Sequence, residues 1–185
     1  MIKRAQQVDE TRKRIVAATV ELHGTVGPAN TTVSAIAEVA GVTRVTVYRH
    51  FPDEDTLFAA CTAHWAAQQR MPDLAVWRAI PAPADRATAA LTDLYQFFHE
   101  AEPMLTLTTR DREALPPFVR QRNQQTTETQ TDVLLEAWPP SQRTRRRRAL
   151  AGHAMSFATW RSLCVDQALR QSDAVTAMTR LVVDC

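Results

Sequence analysis

Glycine is scarce in this chain: four in 185 residues, none in a phosphate-cradling loop or a nucleophile elbow, which leaves an enzyme reading with little support. The three cysteines, Cys61, Cys164 and Cys185, are odd in number and far apart. That excludes a disulfide framework and suits a reducing compartment, so a cytoplasmic protein is expected. No cysteine has an obvious resolving partner, and a thiol switch finds no support. Cys61 and His64 share one helical face, but no second close pair follows, so neither a metal site nor a cofactor is expected. A long hydrophobic run is also missing. The longest stretch without Asp, Glu, Lys or Arg, residues 22–37, is too short and too polar to span a bilayer, and MIKRAQQVDETRKR has no apolar core of a signal peptide.

A strong net charge is lacking as well, at +2, yet its distribution is uneven. Residues 1–52 hold seven cations, Lys3, Arg4, Arg12, Lys13, Arg14, Arg44 and Arg49, against the four acids Asp9, Glu10, Glu21 and Glu38. A phosphate backbone is attracted to such an end. Ala, Leu, Arg, Gln and Glu are plentiful and lose little rotamer freedom in a helix, which predicts an all-α chain.

Periodicity places the helices. Ile15, Ala18, Leu22 and Val26 recur on one face of a first helix from Asp9 to about Val26, which Gly27-Pro28 ends. Asn30-Thr31-Thr32 offers capping oxygens for a second helix over 33–40, and a third follows over 43–50 before Pro52. Asp53, Glu54 and Asp55 open a fourth that runs to about Arg70. Prolines at 72, 81 and 83 mark 71–84 as an irregular loop, and later helices are expected over 85–101, 104–112, 116–137, 142–169 and 172–184.

Helices two and three fit a helix-turn-helix. Ala37 and Ala40 let the pair approach at a steep angle, and Gly41 supplies a turn residue free to take positive φ. Ile36, Val42, Val47 and Phe51 then fill a core with Ile15 and Leu22. Left over are Thr43, Arg44, Val45, Thr46, Tyr48, Arg49 and His50, a short polar start followed by long donors, as a recognition helix requires. Arg44 suits guanine, Val45 and Thr46 suit base edges or a thymine methyl, and Tyr48, Arg49 and His50 suit phosphates. Thr32 and the amides opening helix two make a further phosphate seat. An ordinary helical hairpin with solvated charges is the competing reading of the spacing.

The stretch TTVSAIAEVAGVTRVTVYRHFPDEDTLF resembles the DNA-binding signature of the tetracycline-repressor (TetR) family: Thr-Val, Ile-Ala, Ala-Gly-Val, Thr, Tyr, Phe and Leu recur there in this order. TRKRIVAATVELHGTVG is similar to that family's first helix, and the match covers about residues 10–60. The resemblance implies an N-terminal three-helix DNA-binding domain, 1–52, and a helical body, 53–185, that binds a small effector and forms a homodimer. It also implies a repressor of a palindromic double-stranded operator, released by the effector. The sequence departs from the family at Glu54, often lysine, at Val45, often small, and at His23, usually a core aromatic. Fewer phosphate contacts at the start of helix four are therefore expected.

Within the body, Trp65, Trp77, Phe97, Phe98, Met104, Leu107, Phe118, Trp138, Met155, Phe157 and Trp160 are core residues or line the implied cavity, with His64, His99, Thr106 and Thr108 as polar handles. The last two helices are expected to pair across a two-fold axis as a four-helix bundle, through Leu150, Ala154, Phe157, Leu169, Val175, Met178 and Leu181. Five arginines in RTRRRRAL oppose the dipole of the helix they open and call for a compensating acid, partner or ligand, or form a solvated face. A helical binding protein or an enzyme without a DNA-regulatory role is the alternative.

Overall fold

The computed structural model describes residues 2–185, and side chains from residue 6 onward, so Lys3 and Arg4 of the basic N-terminus lie outside the residues whose side chains are described. All regular structure among the described residues is helical. By backbone contact the chain falls into two units, 1–69 with 102–121, and 70–101 with 122–185. These differ from the functional division expected after residue 52, because α4 packs on the first helix and the second boundary falls inside a helix.

The first unit starts with α1 (Ile2–Thr25), then α2 (Val33–Val39), α3 (Arg44–His50) and α4 (Glu54–Ala66). Helix α1 begins seven residues earlier than its apolar pattern predicts, since nothing in IKRAQQV breaks a helix. Its buried stripe is Ile15, Val16, Ala18, Thr19 and His23, whereas Val26 lies past the helix end and is exposed. Ile15, Ile36, Ala37, Ala40, Val47, Phe51, Leu57 and Cys61 form one core, with Leu22 and Val42 packed against it. The core expected from spacing is thus the core found.

His23 takes the place of an aromatic by behaving as one. Its ring lies 4.8 Å from that of Phe58, and Cys61 Sγ is 3.8 Å from Nδ1. Burial lowers its pKa from 6.5 to about 4, so the ring is neutral at pH 7.

The same unit contains α7 (Glu102–Arg110) and the start of α8 (Pro117–Leu135). At the end of α7 the Asp111 carboxylate accepts from Ala29 N–H at 3.1 Å, and Arg110 Nη2 donates to Val26 O at 2.9 Å. Both bonds clamp the turn that leaves α1. Gly27 sits inside this clamp at φ 91°, and a Cβ there would lie 2.3 Å from Asp111 Oδ2.

The second unit holds α5 (Leu74–Arg78), α6 (Pro83–Glu100), most of α8, α9 (Arg145–Ala154), α10 (Phe157–Trp160) and α11 (Gln171–Val183). Helix α5 corrects the expectation of an irregular loop over 71–84. Asp73 caps it by accepting from Ala75 N–H at 2.9 Å, and Trp77 is buried with its indole N–H donated to Asp93 at 2.9 Å. The prolines flank the helix rather than prevent it.

The single helix expected over 142–169 is likewise corrected to α9, α10 and a π-helical turn, Arg161–Asp166. Ser156 interrupts it: its hydroxyl accepts from Thr159 N–H at 3.1 Å, while Thr159 Oγ1 donates to His153 O at 2.7 Å. Ala168, at φ 51°, then turns the chain toward α11.

The arginine run is built into this unit. Arg143 donates to Trp138 O at 2.7 Å, and Arg148 pairs with Asp132. Buried Arg147 lies over the Trp138 ring at 5.3 Å and donates to Gln142 O at 2.7 Å and Val182 O at 3.2 Å. The compensation demanded at the start of α9 therefore comes partly from the carbonyl end of α11, where a cation is favoured. Arg145 and Arg146 remain on the exposed surface.

Candidate nucleic-acid interface

Local chemistry fixes the helix-turn-helix. Thr32 caps α2 by accepting from Ala35 N–H at 3.1 Å. At the other end, Gly41 N–H donates to Glu38 O at 3.1 Å and Val42 N–H to Ala37 O at 2.9 Å. This is the Schellman pattern, which needs a left-handed residue, and Gly41 supplies it at φ 64°. Thr43 then caps α3, accepting from Thr46 N–H at 3.2 Å with the two hydroxyls 3.0 Å apart.

Two faces of α3 separate cleanly. Val47 and Phe51, one turn apart, are 1% and 2% exposed and lock the helix into the core. Arg44, Val45, Tyr48 and Arg49 project outward, with Val45 76% and Tyr48 50% exposed. Thr46 and His50 lie half-buried between the two faces. Of the eight residues expected at the interface, seven thus belong to α3 and its cap, and Thr32 opens α2.

The remaining cations of this region divide by task. Arg12 Nη1 donates to His50 O at 3.2 Å, and its guanidinium lies 4.2 Å over the Phe51 ring, so it fastens α3 to α1. Lys13 is paired with Asp9 at 2.7 Å and Glu10 at 3.6 Å on the surface. Arg14 reaches to 3.6 Å from the position a Gly41 Cβ would take. Burial, then the charges of Arg49 and Arg12, lower the His50 pKa and favour its neutral ring in the unbound protein. Asp53 caps α4 by accepting from Thr56 N–H at 2.7 Å, and Glu54 and Asp55 are exposed beside it.

In the first unit, Trp65, Met104, Leu107 and Phe118 are half-buried. Thr106 donates to Glu102 and Thr108 to Met104 O, both at 2.8 Å, so these hydroxyls are engaged within their own helix. His64 meets Gln68 at 3.0 Å while Cys61 faces His23, and no group of three or more potential metal ligands occurs among the described residues. In the second unit, Phe97, Phe98, Trp138 and Trp160 are buried and Phe157 is half-buried. Phe98, Phe157 and Trp160 form a ring cluster with centroids 5.5–6.1 Å apart. Trp160 Nε1 and Arg161 Nε are buried without a hydrogen-bond partner among the described residues. Of the residues expected at a dimer interface, Ala154 and Val175 are covered within their own chain, and Leu150, Phe157, Leu169, Met178 and Leu181 are half-buried.

Sequence reasoning missed the Arg12 joint, the Asp111 clamp and buried Arg86, which donates to Ile80 O at 2.7 Å and Val133 O at 2.9 Å. Each joins distant positions, and no local pattern announces it.

This geometry is that of a helix-turn-helix protein. Residues 15–61 match the family model of the bacterial regulatory proteins, tetR family. A 57-residue stretch is 39% identical to the HTH-type transcriptional regulator AcrR of Shigella flexneri, spanning 31% of this chain and 26% of that protein. Similar solved structures extend the likeness in fold to nearly the whole chain. A TetR-like transcriptional regulator from Rhodococcus sp. RHA1 superposes with a TM-score of 0.65 at 21% identity, over 93% of each chain. A tetR-family transcriptional regulator from Streptomyces coelicolor gives 0.62 at 18%, over 95% of this chain and 78% of that one.

Proposed function

We propose that the chain acts as a homodimeric transcriptional repressor that binds a palindromic double-stranded operator through α3 and releases it when a small effector enters the body. The observation that carries this reading is the division of α3. Its inner face is anchored by Val47 and Phe51, and its outer face presents Arg44, Val45, Tyr48 and Arg49. A two-fold pair of such helices reads two half-sites about one helical turn apart. Arg44 contacts guanine, and Thr32, Tyr48, Arg49 and His50 contact phosphates, while exposed Glu54 and Asp55 repel the backbone beside them.

Dimerisation uses the half-buried apolar residues of α9 to α11, Leu150, Phe157, Leu169, Met178 and Leu181. The effector reading draws support from Trp160, a buried donor left unpaired beside Phe98 and Phe157. Effector binding shifts the population between two separations of the recognition helices. A gel shift with the DNA flanking the protein's own gene tests the reading. Retarded bands that Arg44→Ala weakens support it, and equal mobility with and without protein at micromolar concentration refutes it.

A further inference from the structure

We propose that Val45 reads a C5-methyl group in the major groove, so that each half-site carries one position where a thymine, or a 5-methylcytosine, is selected for its methyl. The inference rests on the DNA-binding reading above and assigns the chemistry of one contact.

Val45 is 76% exposed, the most exposed of the large apolar side chains among the described residues. It is the second residue of α3 and faces away from Val47 and Phe51, which hold the helix in the core. The fold gives valine no task there. A β-branched side chain on the solvent side of a seven-residue helix lowers its helix propensity relative to alanine, and its methyls stay in water. Both costs are offset if the methyls are covered on binding.

The partner that covers them is defined by position and charge. Residues at the start of a recognition helix meet base edges, and Arg44 and Arg49 flank Val45 on the same outer face with the charge a duplex requires. Base edges in the major groove are donors and acceptors except for one apolar feature, the C5-methyl of thymine, which 5-methylcytosine shares. Tyr48, three residues on and half exposed, extends the apolar surface along the same side. The neighbouring hydroxyls of Thr43 and Thr46 are 3.0 Å apart and engaged with each other in the cap, and Thr46 is half-buried, whereas Val45 holds both of its methyls out in solvent.

The test uses the full chain and duplexes enriched by it from a random pool. Each thymine is replaced in turn by deoxyuridine, which removes the methyl and keeps the pairing. At one symmetric position the wild type is expected to bind about fourfold more weakly, as for one methyl left in water, and Val45→Ala to be indifferent to the same replacement. Where that T·A pair is changed to C·G, methylation of the cytosine at C5 is expected to recover part of the loss for the wild type only; this arm separates the methyl from the rest of the thymine ring. Deoxyuridine tolerated at every position, or sensitivity retained in Val45→Ala, overturns the inference while leaving the DNA-binding reading intact. A pool that yields no enriched sequence overturns both.

Discussion

Arg12 and Phe51 are joined across the helix-turn-helix unit: the guanidinium lies 4.2 Å over the ring and donates to the carbonyl of the adjacent His50 at 3.2 Å. A cation that composition alone assigns to phosphate therefore holds the C-terminal end of α3. It satisfies a terminal carbonyl and covers one side of a core aromatic.

Arg12→Ala is accordingly expected to loosen α3 rather than to remove a phosphate contact. Loss of about 1–2 kcal/mol in urea unfolding is expected from the cap and the ring contact together. Arg12→Lys should recover little, since an ammonium does not stack and donate in the same plane. Unchanged stability in both variants would contradict this assignment.

The two left-handed glycines should respond differently to alanine. At Gly41 the nearest atom to a new Cβ, Arg14 Nη1, is at an ordinary 3.6 Å, so the cost is backbone strain, about 1–2 kcal/mol. At Gly27 the strain is joined by a collision at 2.3 Å with the carboxylate that clamps the α1 turn. Differential scanning calorimetry should rank Gly27→Ala below Gly41→Ala in Tm, and the opposite order would contradict the clamp.

His23 makes stability pH-dependent in a defined window. The neutral ring is buried and its pKa is lowered to about 4, while in the unfolded chain it protonates near 6.5. Between those values the unfolded state binds more protons, so this contribution is fully present above pH 6.5 and is lost as pH falls toward 4. The loss amounts to up to about 3 kcal/mol. His23→Phe, which keeps a ring against Phe58, should flatten the stability profile between pH 6.5 and 4; a profile identical to the wild type would contradict the buried neutral ring.

The helix-turn-helix unit was legible because its determinants are local. Thr32, Gly41 and Thr43 are caps and a turn that act within a few residues, and Ile36, Val47 and Phe51 follow helical spacing. Where side chains reach across the fold, sequence reading failed. Helix α5 is held because Trp77 finds Asp93 sixteen residues away. The break after α9 is a local signal that the periodicity hid, the Ser156 cap on Thr159 N–H and the bond from Thr159 to His153 O. Counting cations also overstates the phosphate-facing charge, since Arg12 and Lys13 are engaged within the protein. Trp138, expected in the core or lining the implied cavity, is buried and carries Arg147, a pairing that no spacing rule supplies.

The most direct measurement is fluorescence anisotropy of the operator duplex titrated with wild type and Arg44→Ala across a series of salt concentrations. Exposed on the outer face of an anchored α3, Arg44 should contribute ~1–3 kcal/mol of affinity, and its loss should relax base preference at one position in each half-site. Identical affinity, salt slope and base preference in the two proteins would contradict α3 as the helix that reads DNA.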